Sequence, residues 1–415
     1  MNVLIVSQYF WPEPFKINDL VLNLKRRGHT ITVLTGMPNY PEGRLYPGYG
    51  LSSPLREQWE EIQIVRAPLI TRGRAAGMRL AMNYLSFALS ACILGPLLCR
   101  GRFDVILVYE PSPITVGFPG LLMGWLKHAP VLLWVQDLWP ETVLALGQRK
   151  WFVRLAALFA NFVHHQSDLL LLQSEAFAQP LMARGTSRQR LRYFPNWAED
   201  FYKPSPEHCG IDPLPQIQGC HIAIVFAGSI GGAQSFETIL DAAQQLRDRE
   251  EIHWIILGDG IMRLWVEEQI RSRGLGSTVK LLGRYPPEQM PAFFSRADAL
   301  LVTLLPDPVF ALTIPSKIQS YLAAGRPIIG ALDGEGARII AESGAGLVAN
   351  AGDAQGLAQC VLKIAAMTSA ERTAMGQRGR AYFENHFNRE KLVGQLETWM
   401  HELIETRHAD SDTRR

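Results

Sequence analysis

The stretch Ile314-Pro315-Ser316-Lys317-Ile318-Gln319-Ser320-Tyr321-Leu322-Ala323-Ala324-Gly325-Arg326-Pro327 carries the most chemical content in this sequence. Proline suits the first turn of a helix and glycine its stop, so the spacing predicts a helix opening at Pro315 and closing at Gly325. The free N–H groups at Ser316 and Lys317, the positive end of the helix dipole and the Lys317 ammonium would together hold an anion of diphosphate type. Ordinary capping explains the proline and glycine equally well, with Lys317 then a solvated lysine. A second anion-binding element is Gly228-Ser229-Ile230-Gly231-Gly232, with Gln234 just beyond. Glycines there would let backbone N–H groups approach a phosphate, although the full G-x-G-x-x-G spacing is lacking and a structural turn accounts for them as readily.

Two carboxylates are candidates for orienting or deprotonating a hydroxyl: Asp137 first, Glu13 second. Each reads equally as a carboxylate capping a helix start. No metal set is expected. His164 and His165 are adjacent and cannot share a helix face, and the sequence's Asp-x-Asp, Asp410-Ser411-Asp412, sits in the polar tail. The chemistry is therefore expected to need neither metal nor cofactor. The five cysteines, Cys92, Cys99, Cys209, Cys220 and Cys360, are odd in number and form no C-x-x-C pair, which speaks against a disulfide framework or zinc site and for a cytoplasmic setting. A net charge of +2 advertises no nucleic-acid partner.

These residues need elements to place them. At 415 residues, 47% hydrophobic and 19% charged, the chain predicts two packed α/β domains. Val3–Val6 reads as a buried strand rather than a signal peptide, followed by a helix over 17–27 with Leu20, Val21 and Leu24 on one face, and a strand over 29–35. Strands at 104–108, 131–135 and 169–172 continue a parallel sheet. The plan restarts at Ile222–Phe226, with a helix over 236–246 and strands at 253–257, 279–282 and 299–303. Residues 1–202 and 220–385 are thus two doubly wound domains joined by a Pro/Gly-rich linker over 203–219, with a helix over 386–407 returning to the first domain and a disordered tail over 408–415. In such sheets ligands sit beyond the carboxyl ends of the strands. That rule selects the loops 7–14, 36–43, 110–117, 136–141, 228–234, 258–260 and 284–287, which two facing domains would gather around a cleft.

Pro-Ser-Lys followed by Tyr-Leu-Ala-Ala-Gly-Arg-Pro resembles the donor-binding helix of glycosyltransferase family 4. Arg27-Gly28-His29, Tyr193-Phe194-Pro195-Asn196-Trp197, Leu257-Gly258-Asp259-Gly260, Leu282-Gly283-Arg284 and Ala297-Asp298-Ala299 agree in order, so the resemblance spans nearly the whole chain. It implies the GT-B fold, a retaining reaction and a nucleoside-diphosphate sugar, UDP-linked, as co-substrate. The donor would meet Gly228, Ser229, Gly231, Gln234, Gly258, Gly260, Arg284, Ser316 and Lys317. Met37-Pro38-Asn39-Tyr40-Pro41 and Gln136-Asp137-Leu138-Trp139-Pro140-Glu141 are similar to bacterial transferases of surface polysaccharides, those of fucose-type sugars such as N-acetyl-L-fucosamine in particular. Asn39, Tyr40, Glu141 and Asn196 would then line the acceptor side, and the acceptor would be a saccharide on polyprenyl diphosphate. Where the family carries two glutamates around its donor helix, this chain has Leu312 and Ser320, which suits a less polar, 6-deoxy sugar. A sugar-nucleotide 2-epimerase and a non-catalytic nucleotide-binding protein are the competing functions on the same plan.

Leu80–Cys99 is apolar enough to approach the length of a membrane span, but it lies inside the first domain. Its few polar residues, Arg79, Asn83, Ser86 and Ser90, form one stripe, and Arg72, Arg74, Arg79, Arg100 and Arg102 flank it. This predicts a buried or cleft-side helix. Its basic flanks fit an anionic membrane at the inner face of the cytoplasmic membrane as well as they fit the solvated ends of a core helix.

Overall fold

The computed structural model describes residues 1–50, 53–73, 77–145, 149–204 and 222–412. The chain divides into two units, one of Met1–Pro195 with Glu390–Arg415, the other of Asn196–Arg389. The predicted linker falls outside the described residues from position 205 onward, as do Arg74, Cys209 and Cys220.

The first unit holds an eight-stranded sheet among its described residues, in the order β3-β4-β2-β1-β5-β6-β7-β8. The strands are β1 Asn2–Ser7, β2 Thr30–Gly36, β3 Arg56–Trp59, β4 Ile62–Ala67, β5 Val105–Glu110, β6 Val131–Val135, β7 Leu169–Leu172 and β8 Leu191–Tyr193. The helices between them are α1 Lys16–Arg26, α2 Met78–Leu98, α3 Gly117–Lys127, α4 Glu141–Ala145, α5 Lys150–Gln166 and α6 Ala178–Ala183. Val3 to Val6 are fully buried and pair in parallel with β2 and β5, as an apolar run covered on both faces must. Leu20, Val21 and Leu24 of α1 are likewise buried.

The second unit has a six-stranded parallel sheet, β11-β10-β9-β12-β13-β14. Its strands are β9 Ile222–Ala227, β10 Ile252–Leu257, β11 Val279–Gly283, β12 Ala299–Thr303, β13 Ile328–Ala331 and β14 Gly346–Ala349. The helices are α7 Phe236–Gln245, α8 Arg263–Ser272, α9 Met290–Ser295, α10 Pro308–Ala311, α11 Ser316–Ala324, α12 Gly334–Glu342, α13 Ala354–Ala366 and α14 Ser369–His386. Each unit is a doubly wound Rossmann-like layer of helices on a mostly parallel sheet.

Three expectations are amended. The hairpin β3–β4 has no strand signature, because Arg56-Glu57-Gln58-Trp59 is polar and Arg66 of β4 is charged; yet Arg66 is fully buried, bonding Glu57 and donating through Nη1 to the Gly36 carbonyl at 3.1 Å. The first unit ends at Pro195, not 202, because Trp197 is buried and Tyr202 stacks on Phe294 of α9 with centroids 5.8 Å apart. The last helix, α15, runs over Arg389–Asp412, past the point at which a disordered tail was expected. Its first turns dock on the first unit through Arg27 Nη1 to Glu397 (2.8 Å), His29 to Glu397 (2.7 Å) and Asn23 Nδ2 to Glu390 (2.8 Å), over buried Val393, Leu396 and Met400. A helix nucleated by such packing adds further turns at little cost.

Candidate active site

In the second unit three glycines admit close approaches, Gly258 and Gly260 to backbone and Gly228 to the Lys317 side chain. A Cβ on Gly228, at φ 140°, would lie 2.5 Å from Lys317 Cε; one on Gly258, at φ 141°, would lie 1.8 Å from the Gly228 carbonyl oxygen; one on Gly260 would lie 2.3 Å from the Ile230 carbonyl oxygen. The turns after β9 and β10 thus interlock, and only glycine fits them. Helix α11 opens one residue later than predicted, with Pro315 before its first turn and Gly325 closing it in the left-handed conformation at φ 67°. Tyr321 of α11 fixes that opening against β9, its hydroxyl accepting from Ala227 N at 3.1 Å.

Lys317 therefore reaches the Gly228 turn. Its stem is partly exposed, whereas its Nζ is buried with no hydrogen-bond partner and lies 3.5 Å from the centroid of the Phe226 ring. Burial pushes its amine down to about 7. A buried amine lacking an acceptor beside a glycine turn and a helix N-terminus is prepared for an anion. Ser229, Ser316 and Arg284 are exposed around this region. Gln234 has a local part, since its Oε1 accepts the Gly231 amide at 3.2 Å and closes the turn, so that amide is not open to a ligand as expected. Ser320 donates to the Ser316 carbonyl at 3.4 Å, and Leu312 is half-buried.

In the first unit the carboxyl ends of β1, β2, β5 and β6 carry a polar cluster. Asp137, after β6, is half-buried; burial pushes its carboxyl up to about 7, against a hydrogen bond from Ser112. The Ser112 hydroxyl also accepts from Trp139 Nε1 at 3.0 Å, which fixes the loop after β5 against the loop after β6. Tyr84, Tyr109 and Glu110 all sense the Asp137 charge. Glu110 ends β5 wholly buried, with neither carboxyl oxygen hydrogen-bonded among the described residues. Burial first, and Asp137 second, raise it well above the usual carboxylate range.

The other predicted residues divide. Glu13 is fully buried, and its oxygens accept from Asn39 N (2.7 Å), Tyr40 N (2.6 Å) and Phe10 N (3.3 Å). It ties two loops together, so its place is that of a brace rather than a partner for a hydroxyl, although burial raises it to about 7. Asn39 is buried beneath it, accepting from Arg72 N at 3.1 Å. Tyr40 is half-buried, with the Arg72 guanidinium 4.9 Å from its ring centroid. Glu141 opens α4 and pairs with Arg184 at 3.2 Å. Asn196 falls in the second unit, not the first. Glu110 and Ser112 fall in the 110–117 loop that the sequence selected but were not singled out within it, and Tyr84 escaped the sequence reading. The signal for Glu110 was a carboxylate ending the otherwise apolar run Val105-Ile106-Leu107-Val108-Tyr109. Among the described residues no group of three His, Cys, Asp or Glu is placed to hold a metal ion.

Two family models match this arrangement unit by unit: a glycosyl transferase 4-like domain over residues 16–197 and glycosyl transferases group 1 over residues 221–367, most of the chain between them. The chain is a glycosyltransferase. It is 25% identical over 338 residues to the "Putative colanic acid biosynthesis glycosyl transferase WcaI" of Escherichia coli (strain K12), covering 78% of this chain and 82% of that one. Among solved structures, Anabaena Alr3699/HepE in complex with UDP superposes with a TM-score of 0.68 at 16% identity, covering 97% of this chain and all of that one. The sucrose-phosphate synthase of Thermosynechococcus elongatus gives 0.76 at 16% identity over 97% and 99% of the two chains. The glycosyltransferase fold is thus GT-B, with one Rossmann-like unit carrying the Asp137 cluster and the other the Lys317 turn.

Proposed function

We propose that this glycosyltransferase acts in bacterial surface polysaccharide synthesis, moving a 6-deoxy or N-acetylamino sugar such as N-acetyl-L-fucosamine from its UDP-linked donor to a saccharide carried on polyprenyl diphosphate. The observation that carries the donor half is Lys317 Nζ, buried without an acceptor against the Gly228 turn. The likeness to a colanic acid transferase and to a protein solved with UDP supports the substrate classes. In the reaction the bond between the anomeric carbon and the donor diphosphate breaks, and the electron pair leaves with the nucleoside diphosphate. Lys317, as ammonium, and the N–H groups opening α11 would stabilise that developing charge. The acceptor oxygen bonds to the anomeric carbon on the face the diphosphate leaves, retaining configuration. Asp137 would orient the acceptor hydroxyl and take its proton. The absent glutamate at Leu312 removes a partner for sugar hydroxyls, which supports a 6-deoxy donor. The enzyme would work at the inner face of the cytoplasmic membrane, where a polyprenyl-linked acceptor resides.

The test is a panel of UDP-, GDP- and dTDP-sugars offered to purified protein with polyprenyl-diphosphate saccharides, scored by nucleoside diphosphate release and by mass of the lipid product. Release that depends on acceptor supports the reading. Conversion of donor to its 2-epimer without acceptor would replace it with the epimerase.

A further inference from the structure

Helix α2 is built inside out. Its polar residues turn inward: Asn83 is buried, accepting from Gln8 Nε2 at 2.8 Å and donating to the Ile70 carbonyl at 2.6 Å, while Ser86 accepts from Ile70 N at 2.9 Å and Ser90 bonds the Pro68 carbonyl at 2.5 Å. Phe87, Ala88 and Ala91 pack inward beside them, but a second apolar row turns outward, Leu85, Leu89, Ile93 and Leu97 each being more than half exposed. Those inward bonds replace the span that length and composition alone would permit, because leaving the sheet would strip Asn83 of its partners.

The neighbouring helices continue the pattern. α2 packs on α3 and α3 on α5. The close approach of α3 to the sheet rests on its glycines, since a Cβ on Gly120 would lie 2.2 Å from Val108 Cγ2. α3 presents Trp125, 71% exposed, and α5 presents Trp151, Leu155, Leu158 and Phe162 at helical spacing on one stripe. Not one of the three helices contains an aspartate or glutamate. Around the stripes lie exposed Arg79, Arg100, Arg102, Lys150 and Arg154.

We infer that the outward faces of α2, α3 and α5 form a single docking surface for an anionic lipid bilayer, on which the first unit lies with α2 parallel to the membrane plane. The occupant follows from the charge: an apolar field with tryptophans, basic residues at its margins and no acid in its helices complements acyl chains beneath anionic headgroups. A protein partner or a second copy of this chain would have to meet that rim with acids, and the same face on a second copy supplies none. The inference rests on the proposed lipid-linked acceptor and adds where and how the enzyme meets it.

Sedimentation with vesicles of phosphatidylcholine, with and without phosphatidylglycerol, tests it on the full chain. Leu89→Glu on α2, Trp125→Glu on α3 and Leu158→Glu on α5 should each weaken binding to the mixed vesicles at least about tenfold, since each puts a charge where the bilayer would take up an exposed apolar side chain. Arg102→Gln should cost about fivefold and only at low salt. UDP affinity and melting temperature should stay unchanged in all four, because the positions are exposed and belong to the first unit, whereas Lys317 belongs to the second. Binding lost in the α2 variant alone would overturn the three-helix surface. Absence of vesicle binding by the native protein, or a dimer that the same variants dissociate, would overturn the lipid occupant. Vesicle binding that persists in a protein unable to bind UDP or transfer sugar would leave the docking surface standing and sink the transferase reading instead.

Discussion

Lys317 Nζ lies 3.5 Å from the centroid of the Phe226 ring, and Phe226 belongs to the strand whose end forms the Gly228 turn. The aromatic face is a weak substitute for an anion. It holds the amine in place while burial keeps its proton loosely bound, and a diphosphate arriving at the turn would restore the charge.

Lys317→Met should therefore lower UDP affinity by about ten- to a hundredfold, the cost of one charge-assisted bond in a buried site. Native protein should take up a proton on binding UDP above pH 7, seen as a buffer-dependent enthalpy in calorimetry; the variant should not. The stability sign follows from an amine at about 7 in the folded state against the ordinary 10.5. Between those values the unfolded chain holds the proton and the folded one does not, so stability rises with pH there, and Lys317→Met should flatten that rise. Equal UDP affinity in variant and native protein would remove Lys317 from the donor site.

Asp137→Asn should cut turnover at least about a hundredfold while leaving UDP affinity within about twofold. Native turnover should climb as pH rises through about 7, the region to which burial moves this carboxyl. Because the folded value lies above the ordinary 3.8, the Asp137 contribution to stability is present at low pH and lost as pH rises toward 7. Near-native turnover in the asparagine variant would end any chemical part for Asp137.

Glu110 is an unpartnered buried carboxyl, and burial, then the Asp137 charge, raise it well above the usual carboxylate range, so the folded state keeps its proton to higher pH than the unfolded chain does. Glu110→Gln copies that neutral form. Its urea midpoint should gain on the native one as pH rises above the ordinary carboxylate range, where the unfolded chain has lost the proton that the folded state still favours. A variant less stable at pH 8 than the native protein would show that Glu110 is ionised and paired.

Turnover should survive EDTA, since Lys317 and the opening of α11 are placed to carry the diphosphate charge. Activity abolished by EDTA and restored by magnesium or manganese would assign that charge to a metal.

Asn83→Leu should destabilise the protein by about 2–3 kcal/mol, because the Ile70 carbonyl and Gln8 amide lose their partner inside the fold. Chemical denaturation measures it. Unchanged stability would mean that the inward stripe of α2 is dispensable.

The amino-acid sequence by itself determined the doubly wound plan. Apolar runs such as Val3–Val6 and Ile222–Phe226 are buried on both faces, so composition alone marks them. It also marked Lys317 and Asp137, each set beside a helix start or strand end by local spacing. The tertiary structure decided what spacing cannot express. The same stripe of Asn83, Ser86 and Ser90 would satisfy a helix facing solvent or one facing a polar interior, and only the carbonyls of Pro68 and Ile70 resolve which. Arg66 reads as surface until Glu57 and the Gly36 carbonyl surround it. Glu110 and Glu13 are both buried glutamates in a first-unit loop or strand end, yet one meets three backbone N–H groups and the other none. Burial and hydrogen-bond partners come from residues tens of positions away, and those contacts exist only once the chain has closed.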